Sequence, residues 1–351
     1  MEFYILFFAI LITLTLISLV YKNFDYTCYI VSTFIAIFFI GGRLNVGADF
    51  IEYQHIYNYE EKINFDFLFE FFFKLFRWLG LSYPEASLSF FMLTLLFFHL
   101  AIKDNSCKTL SLFFFILYSI VSLTSTIRQG LSLPFYLLAF NYILNLRKYY
   151  FYSFIGTLFH VSSFIMLLIY PLKKIKISRP NFLFVILFSF LVGYFDLINV
   201  LIWFIDNTIT FNNYHANKIL TYSTRYNEPM SLISQLYRLG GVLFLFIFNN
   251  SLCKREDLNF CKNIYLMTFL FTLIFKDNGV LINRLSFSTN VSLLYIAFNY
   301  DYISKKKITK EIILLFFITY FSVNYFKFIL TDLRYGIESA YLPYRNFIFD
   351  N

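Results

Sequence analysis

Residues 3–21 read FYILFFAILITLTLISLVY, a run without one charged side chain. At 1.5 Å of rise per residue a helix of this length is about 28 Å long, enough to cross a hydrocarbon core of roughly 30 Å. No basic residue precedes the run and no small-residue cleavage site closes it. The expectation is a retained first span, not a removed signal peptide.

The same criterion gives further spans at 26–42, 83–102, 108–124, 129–146, 149–171, 181–205, 231–250, 262–276, 279–300 and 311–330. These predict an all-α, polytopic integral membrane protein of about eleven transmembrane segments. Composition agrees. Charged residues make up 14% of the chain and hydrophobic residues 59%, whereas a soluble domain carries about 25% charge. No internal repeat, linker or low-complexity tract interrupts the 351 residues, so one transmembrane domain is expected. The 51 Phe and 29 Tyr exceed what interfacial belts need. Phe standing for Leu in an AT-rich genome accounts for that excess better than sugar-stacking platforms.

The net charge of +8 lies in short loops between spans. This argues for orientation in the membrane and against a nucleic-acid partner. Lys22, Lys103 with Lys108, Arg147 with Lys148, and the clusters at 173–179, 254–262 and 305–310 then belong to the cytoplasm, with the N-terminus outside. The 43–82 loop carries six acids against four bases and suits the outer face. The clusters at 147–148 and 173–179 conflict if 149–171 crosses once. Either one cluster breaks the rule, or the segment is re-entrant, breaking near Gly156 or His160 and lining protein or a wet cavity. Within 43–82, Glu70, Lys74 and Arg77 share one face of a Phe-rich amphipathic helix expected to lie in the interface.

Polar islands among such apolar spans are the candidate functional residues. The first is Gly41 to Tyr53, with Arg43, and with Asp49 and Tyr53 one helical turn apart. The second is Thr124 to Ser132, with Arg128 and Gln129 between two apolar spans. His160 stands in a polar patch inside an apolar stretch, and Asn283-Arg284 forms a third cationic island. An arginine here either grips a phosphate through its planar fork or snorkels to the headgroups. An intramembrane histidine is either a base or a hydrogen-bonded packing residue. Cys28, Cys107, Cys253 and Cys261 have no metal-ligand spacing, and the acidic pairs Glu60-Glu61 and Glu256-Asp257 read as solvated loop charge. No phosphate loop or nucleophile elbow is present.

Arg43, Gly47, Asp49 and Tyr53 after an early span, Arg128-Gln129 heading a central one, His160 with Ser162, a late Arg284, and Tyr341-Leu342-Pro343-Tyr344 near the end stand in a distinctive order. In that order the chain resembles the EpsG/Wzy-type polysaccharide polymerases along nearly its whole length. It departs from them at Phe50, where a Tyr is usual, and in lacking a Tyr shortly after Arg284. The resemblance implies a GT-C-type glycosyltransferase of the bacterial cytoplasmic membrane whose active site faces outside. It would polymerise undecaprenyl-diphosphate-linked oligosaccharide repeat units into O-antigen, capsule or exopolysaccharide, without a metal or other cofactor, with a chain-length regulator as a further partner. Arg43, Arg128 and Arg284 would then hold the diphosphate, Tyr53 and Gln129 the sugar, and His160 or Asp49 would be the base. An O-antigen-ligase-like transferase, a lipid-linked oligosaccharide flippase and a noncatalytic membrane subunit are the alternatives.

Overall fold

The computed structural model describes residues 1–59, 66–194, 231–275, 279–331, 333–334 and 338–348. The Glu60-Glu61 pair, residues 195–205 of one expected span, and the 206–230 loop with His215 lie outside them. The chain divides into two compact units, one of residues 1–164 with 297–351 and one of residues 165–296. Apart from two paired two-residue strands, Leu333–Arg334 and Glu338–Ser339, the regular structure described is helical.

The first unit contains helices α1 (Glu2–Val20), α2 (Asp25–Ala36), α3 (Phe50–Tyr59), α4 (Phe67–Trp78), α5 (Tyr83–Ala101), α6 (Lys108–Thr124), α7 (Ile127–Asn141) and α8 (Leu146–Phe159), and the later helix Lys307–Thr331. Helix α6 is apolar nearly all round, and nearly all of its side chains are buried within the protein. It packs against α1, α2, α7 and Lys307–Thr331. Its start is fixed from outside: the Asp25 carboxylate accepts the Lys108 and Thr109 amides at 2.9 and 3.1 Å, satisfying donors a helix start leaves open. Helix α5 begins in a capping box, with Glu85 accepting both the amide and the hydroxyl of Ser82.

Among the described residues, α1, Lys22–Gly41, α5 and Lys307–Lys327 are long and apolar enough to cross a membrane. Lys108–Thr124, Arg179–Val192, Leu232–Ile247 and Ser286–Phe298 are shorter apolar helices. The 43–82 loop holds two helices, α3 and α4. Helix α4 has the amphipathic pattern expected, with Glu70 and Lys74 paired at 2.6 Å and Phe69, Phe73 and Phe76 buried on the other side.

The 149–171 stretch is not one continuous helix. Helix α8 ends at His160, whose backbone is extended (φ −155°, ψ 101°), and only short helical turns follow. Gly156, the other expected break point, lies inside α8. A Cβ there would sit 2.6 Å from the Tyr136 ring, so this glycine lets α8 approach α7.

In the second unit, helix Glu256–Ile274 packs against Arg179–Tyr194, Leu232–Ile247 and the turn Tyr170–Lys174. Its interior is polar for a membrane protein. Arg238 is buried and donates to Thr272, Asn283 and Ser286 at 2.7, 2.9 and 2.9 Å.

Candidate active site

The polar segment after α2 is drawn against the α6–α7 turn at Gly47. This residue has φ +107°, and a Cβ on it would lie 2.3 Å from the Thr124 carbonyl oxygen. No other residue type tolerates both conditions without strain. The neighbouring Ala48 amide donates to Ser125 Oγ at 2.9 Å, and Ser125 Oγ also meets the Tyr341 hydroxyl. The Tyr- and Pro-containing end of the chain therefore braces this turn. Helix α3 starts immediately afterwards, which aims Tyr53 at the first turn of α7.

There Tyr53, Arg128, Gln129 and His160 come together around Asp66, in sequence one of the six acids of the 43–82 loop. One Asp66 oxygen, Oδ1, accepts the Val161 amide at 2.8 Å. The other, Oδ2, accepts Arg128 Nη1 at 3.0 Å and lies 3.5 Å from His160 Nδ1. Arg128 Nε donates to the Tyr53 hydroxyl at 3.1 Å. The Asp66 side chain is 4% exposed and that of Arg128 27%, so the carboxylate is buried and the guanidinium partly accessible.

Hydrogen bonds hold the imidazole in place. Thr126 donates to Gln129 Oε1 at 2.8 Å, and the Gln129 amide nitrogen lies 3.1 Å from His160 Nε2. His160 Nδ1 faces Asp66. Ser162 Oγ also meets Nε2. A histidine beside a carboxylate, with Nε2 among hydroxyl- and amide-bearing side chains, is an arrangement suited to proton transfer.

Burial alone would raise the Asp66 pKa. His160, the Arg128 guanidinium and the Val161 amide outweigh that effect and bring it below the ordinary carboxylate value. Asp66 is thus ionised at neutral pH. It stabilises the fold above its ordinary pKa, and this contribution fades as pH falls through the lowered value. Burial first, and acidic neighbours next, hold the Tyr53 hydroxyl up at about 12 despite the adjacent Arg128, so it stays protonated.

The remaining candidates are Asp49, Arg284 and Arg43. Asp49 is half-buried at the start of α3 and close enough to Tyr53 to raise its pKa. Arg284 lies near the start of helix Gly279–Phe298, with its side chain outside the described set. Arg43 is 1% exposed, donating Nη1 to the Ile40 carbonyl at 2.8 Å and Nη2 to the Thr124 carbonyl at 3.1 Å. It has no carboxylate partner among the described residues. Arg43→Lys keeps the charge but cannot span both carbonyls. We expect a loss of about 1–3 kcal/mol, seen as a thermal midpoint several degrees lower in detergent. An unchanged midpoint would remove Arg43 from the framework of the turn.

Two buried residues escaped the sequence reading. Asp66 carried a local signal, an acid immediately before the apolar amphipathic helix α4, at the position where helices take their N-caps. Arg238 carried a plainer one, an arginine inside an apolar span.

A helical membrane protein with a buried carboxylate–imidazole pair and an accessible guanidinium beside it is equipped for proton transfer next to an anion. The EpsG family model matches residues 25–346, and the chain belongs to the EpsG family. That family is associated with glycosyltransferase-like polymerase activity on membrane-borne polysaccharide. No curated protein and no solved structure matches the chain.

Proposed function

We propose that this protein is a polysaccharide polymerase that joins undecaprenyl-diphosphate-linked oligosaccharide repeat units on the outer face of the bacterial cytoplasmic membrane. The observation that carries the reading is the convergence of His160, Asp66 and Arg128, a candidate base, its neighbouring carboxylate and an anion-binding fork in one cluster. His160 Nε2 takes the proton of the acceptor sugar hydroxyl. The hydroxyl oxygen bonds to the anomeric carbon of the donor as that carbon's bond to the diphosphate oxygen breaks. Arg128 receives the negative charge developing on the leaving diphosphate. Asp66 keeps the Nδ1–H tautomer in place and stabilises the imidazolium until its proton is passed on. Tyr53 and Gln129 orient sugar hydroxyls. Arg43, buried behind the Thr124–Ser125 turn without an acidic partner among the described residues, adds positive potential from the rear.

The test is a gel of lipid-linked and surface glycans from a strain lacking the chain, complemented with wild type or His160→Ala. Polymerase activity predicts single repeat units that still reach the surface and their final acceptor, with polymer restored only by wild type. Loss of all surface repeats in the deletion strain points instead to a flippase. Free polymer that fails to join its acceptor points to a ligase.

A further inference from the structure

In the second unit the turn Tyr170–Lys174 and the linker after it form one wall of a cleft of about 520 Å³. Lys173, Lys174, Lys176 and Lys254 line it, opposed by a single acid, Glu256. We propose that this cleft is a binding site for a phosphate-bearing anion, either a phospholipid headgroup or a free di- or oligophosphate.

Three features distinguish it from a loop that merely happens to be basic. First, the lysine-bearing backbone is held in place by three buried asparagines. Asn249 donates to the Ile177 carbonyl at 3.0 Å, Asn259 to that of Ile175 at 2.8 Å, and Asn263 to those of Leu172 and Ile175 at 2.9 and 2.7 Å. Side-chain amides inside a membrane protein are costly unless bonded, and here all three are spent on fixing the loop at 172–177. Second, a fifth positive charge stands behind the cleft. Lys262 is fully buried, and its ammonium contacts Asn249 Oδ1 at 2.9 Å and Cys253 Sγ at 3.0 Å, with no carboxylate partner among the described residues. Cys253 itself lines the cleft, so the buried charge lies one side chain from the cavity and favours an anion in it. Third, Lys174, Lys176 and Lys254 are exposed and unpaired with any acid among the described residues.

Lysines are compact point charges on flexible stems, suited to a phosphate that presents itself at varying angles, whereas a planar carboxylate would call for arginine forks. The volume exceeds what one phosphate fills and is ample for a headgroup or a diphosphate. By the charge distribution along the chain this is the cytoplasmic side, where anionic lipid headgroups concentrate and basic pockets between helices capture them. The site is independent of the proposed glycosyl transfer.

Cys253 provides the readout, since occupancy of the cleft shields its thiol. Full-length protein in phosphatidylcholine nanodiscs is treated with N-ethylmaleimide, and alkylation is followed at each cysteine by peptide mass spectrometry, with Cys107 as the internal reference. Millimolar pyrophosphate, or replacement of a third of the lipid by phosphatidylglycerol, is expected to slow alkylation of Cys253 about tenfold and leave Cys107 unchanged. Protection by pyrophosphate alone identifies a soluble phosphate ligand, and protection by phosphatidylglycerol alone identifies a headgroup. In the Lys174→Gln/Lys176→Gln/Lys254→Gln variant the concentration giving half-protection should rise on the order of 100-fold. These side chains are exposed, so the fold survives their loss. Glu256→Gln should lower that concentration. The proposal is overturned if neither anion slows Cys253 in the wild type, or if the triple variant is protected as well as the wild type.

Discussion

Replacing Arg128 by Lys should reduce polymer formation by two to three orders of magnitude at unchanged protein level. The charge is kept and the fork is lost. In the folded protein Arg128 uses Nη1 on Asp66 and Nε on Tyr53, two directions at once from one rigid plane. A lysine ammonium can satisfy one of these partners but cannot bridge both and face a diphosphate as well. Removing a single donor that stabilises charge in the transition state costs about 10²–10³ in rate, and the Lys variant loses the donor geometry even where it keeps the charge. The measurement is elongation of a purified lipid-linked repeat unit by detergent-solubilised enzyme, with the turnover number separated from KM. A substrate-anchoring role alone would raise KM and leave turnover intact. Near-normal turnover together with an unchanged KM in Arg128→Lys would reduce the residue to a structural link between α3, α4 and α7.

The helices were legible in sequence because membrane spans obey a simple rule: a long uncharged run must satisfy its backbone internally. Residues 3–21, 83–102 and 108–124 each become a helix within a residue or two of the apolar run. The charge conflict across 149–171 leaves two readings, a rule-breaking cluster or a break near Gly156 or His160, and the helix does end at His160. Gly156 is the more obvious helix breaker, but the Tyr136 ring beneath it turns that glycine into a packing contact. Only tertiary structure supplies that ring.

The site was half legible. Tyr53, Arg128, Gln129 and His160 were singled out because polar residues beside hydrocarbon are conspicuous. Asp66 was not, because it sits in an acid-rich loop where five other carboxylates look the same from sequence. What separates it from Asp49 is the start of α4, which delivers Asp66 to the Val161 amide and the Arg128 guanidinium. Long-range pairings of this kind leave no local periodicity. Arg43 shows the converse. The family resemblance assigns it to the diphosphate, and the structure holds it almost fully buried against main-chain carbonyls.

The Asp66–His160 pair should behave as one catalytic unit, and a double-mutant cycle measures this directly. A general base contributes about 10²–10⁴ to rate, so His160→Gln, which keeps hydrogen bonding but cannot take the proton, should lose most of that factor. Asp66→Asn removes the acceptor that holds the Nδ1 proton and the charge that stabilises the imidazolium, and should cost a comparable factor. If the two act through one proton transfer, the doubly substituted enzyme will be little slower than either single variant, because groups that work as a unit cannot be removed twice. Independent contributions would multiply instead. A second signature separates this from structural damage. In Asp66→Asn the imidazole has lost the negative charge 3.5 Å away, so the acid limb of its rate–pH profile should move to lower pH while the plateau falls. A fall in the plateau with no movement of the limb would mean that Asp66 only supports Arg128. If His160→Gln retains wild-type turnover, the imidazole is a packing residue, and Asp49, near enough to Tyr53 to raise its pKa, becomes the carboxylate to replace next.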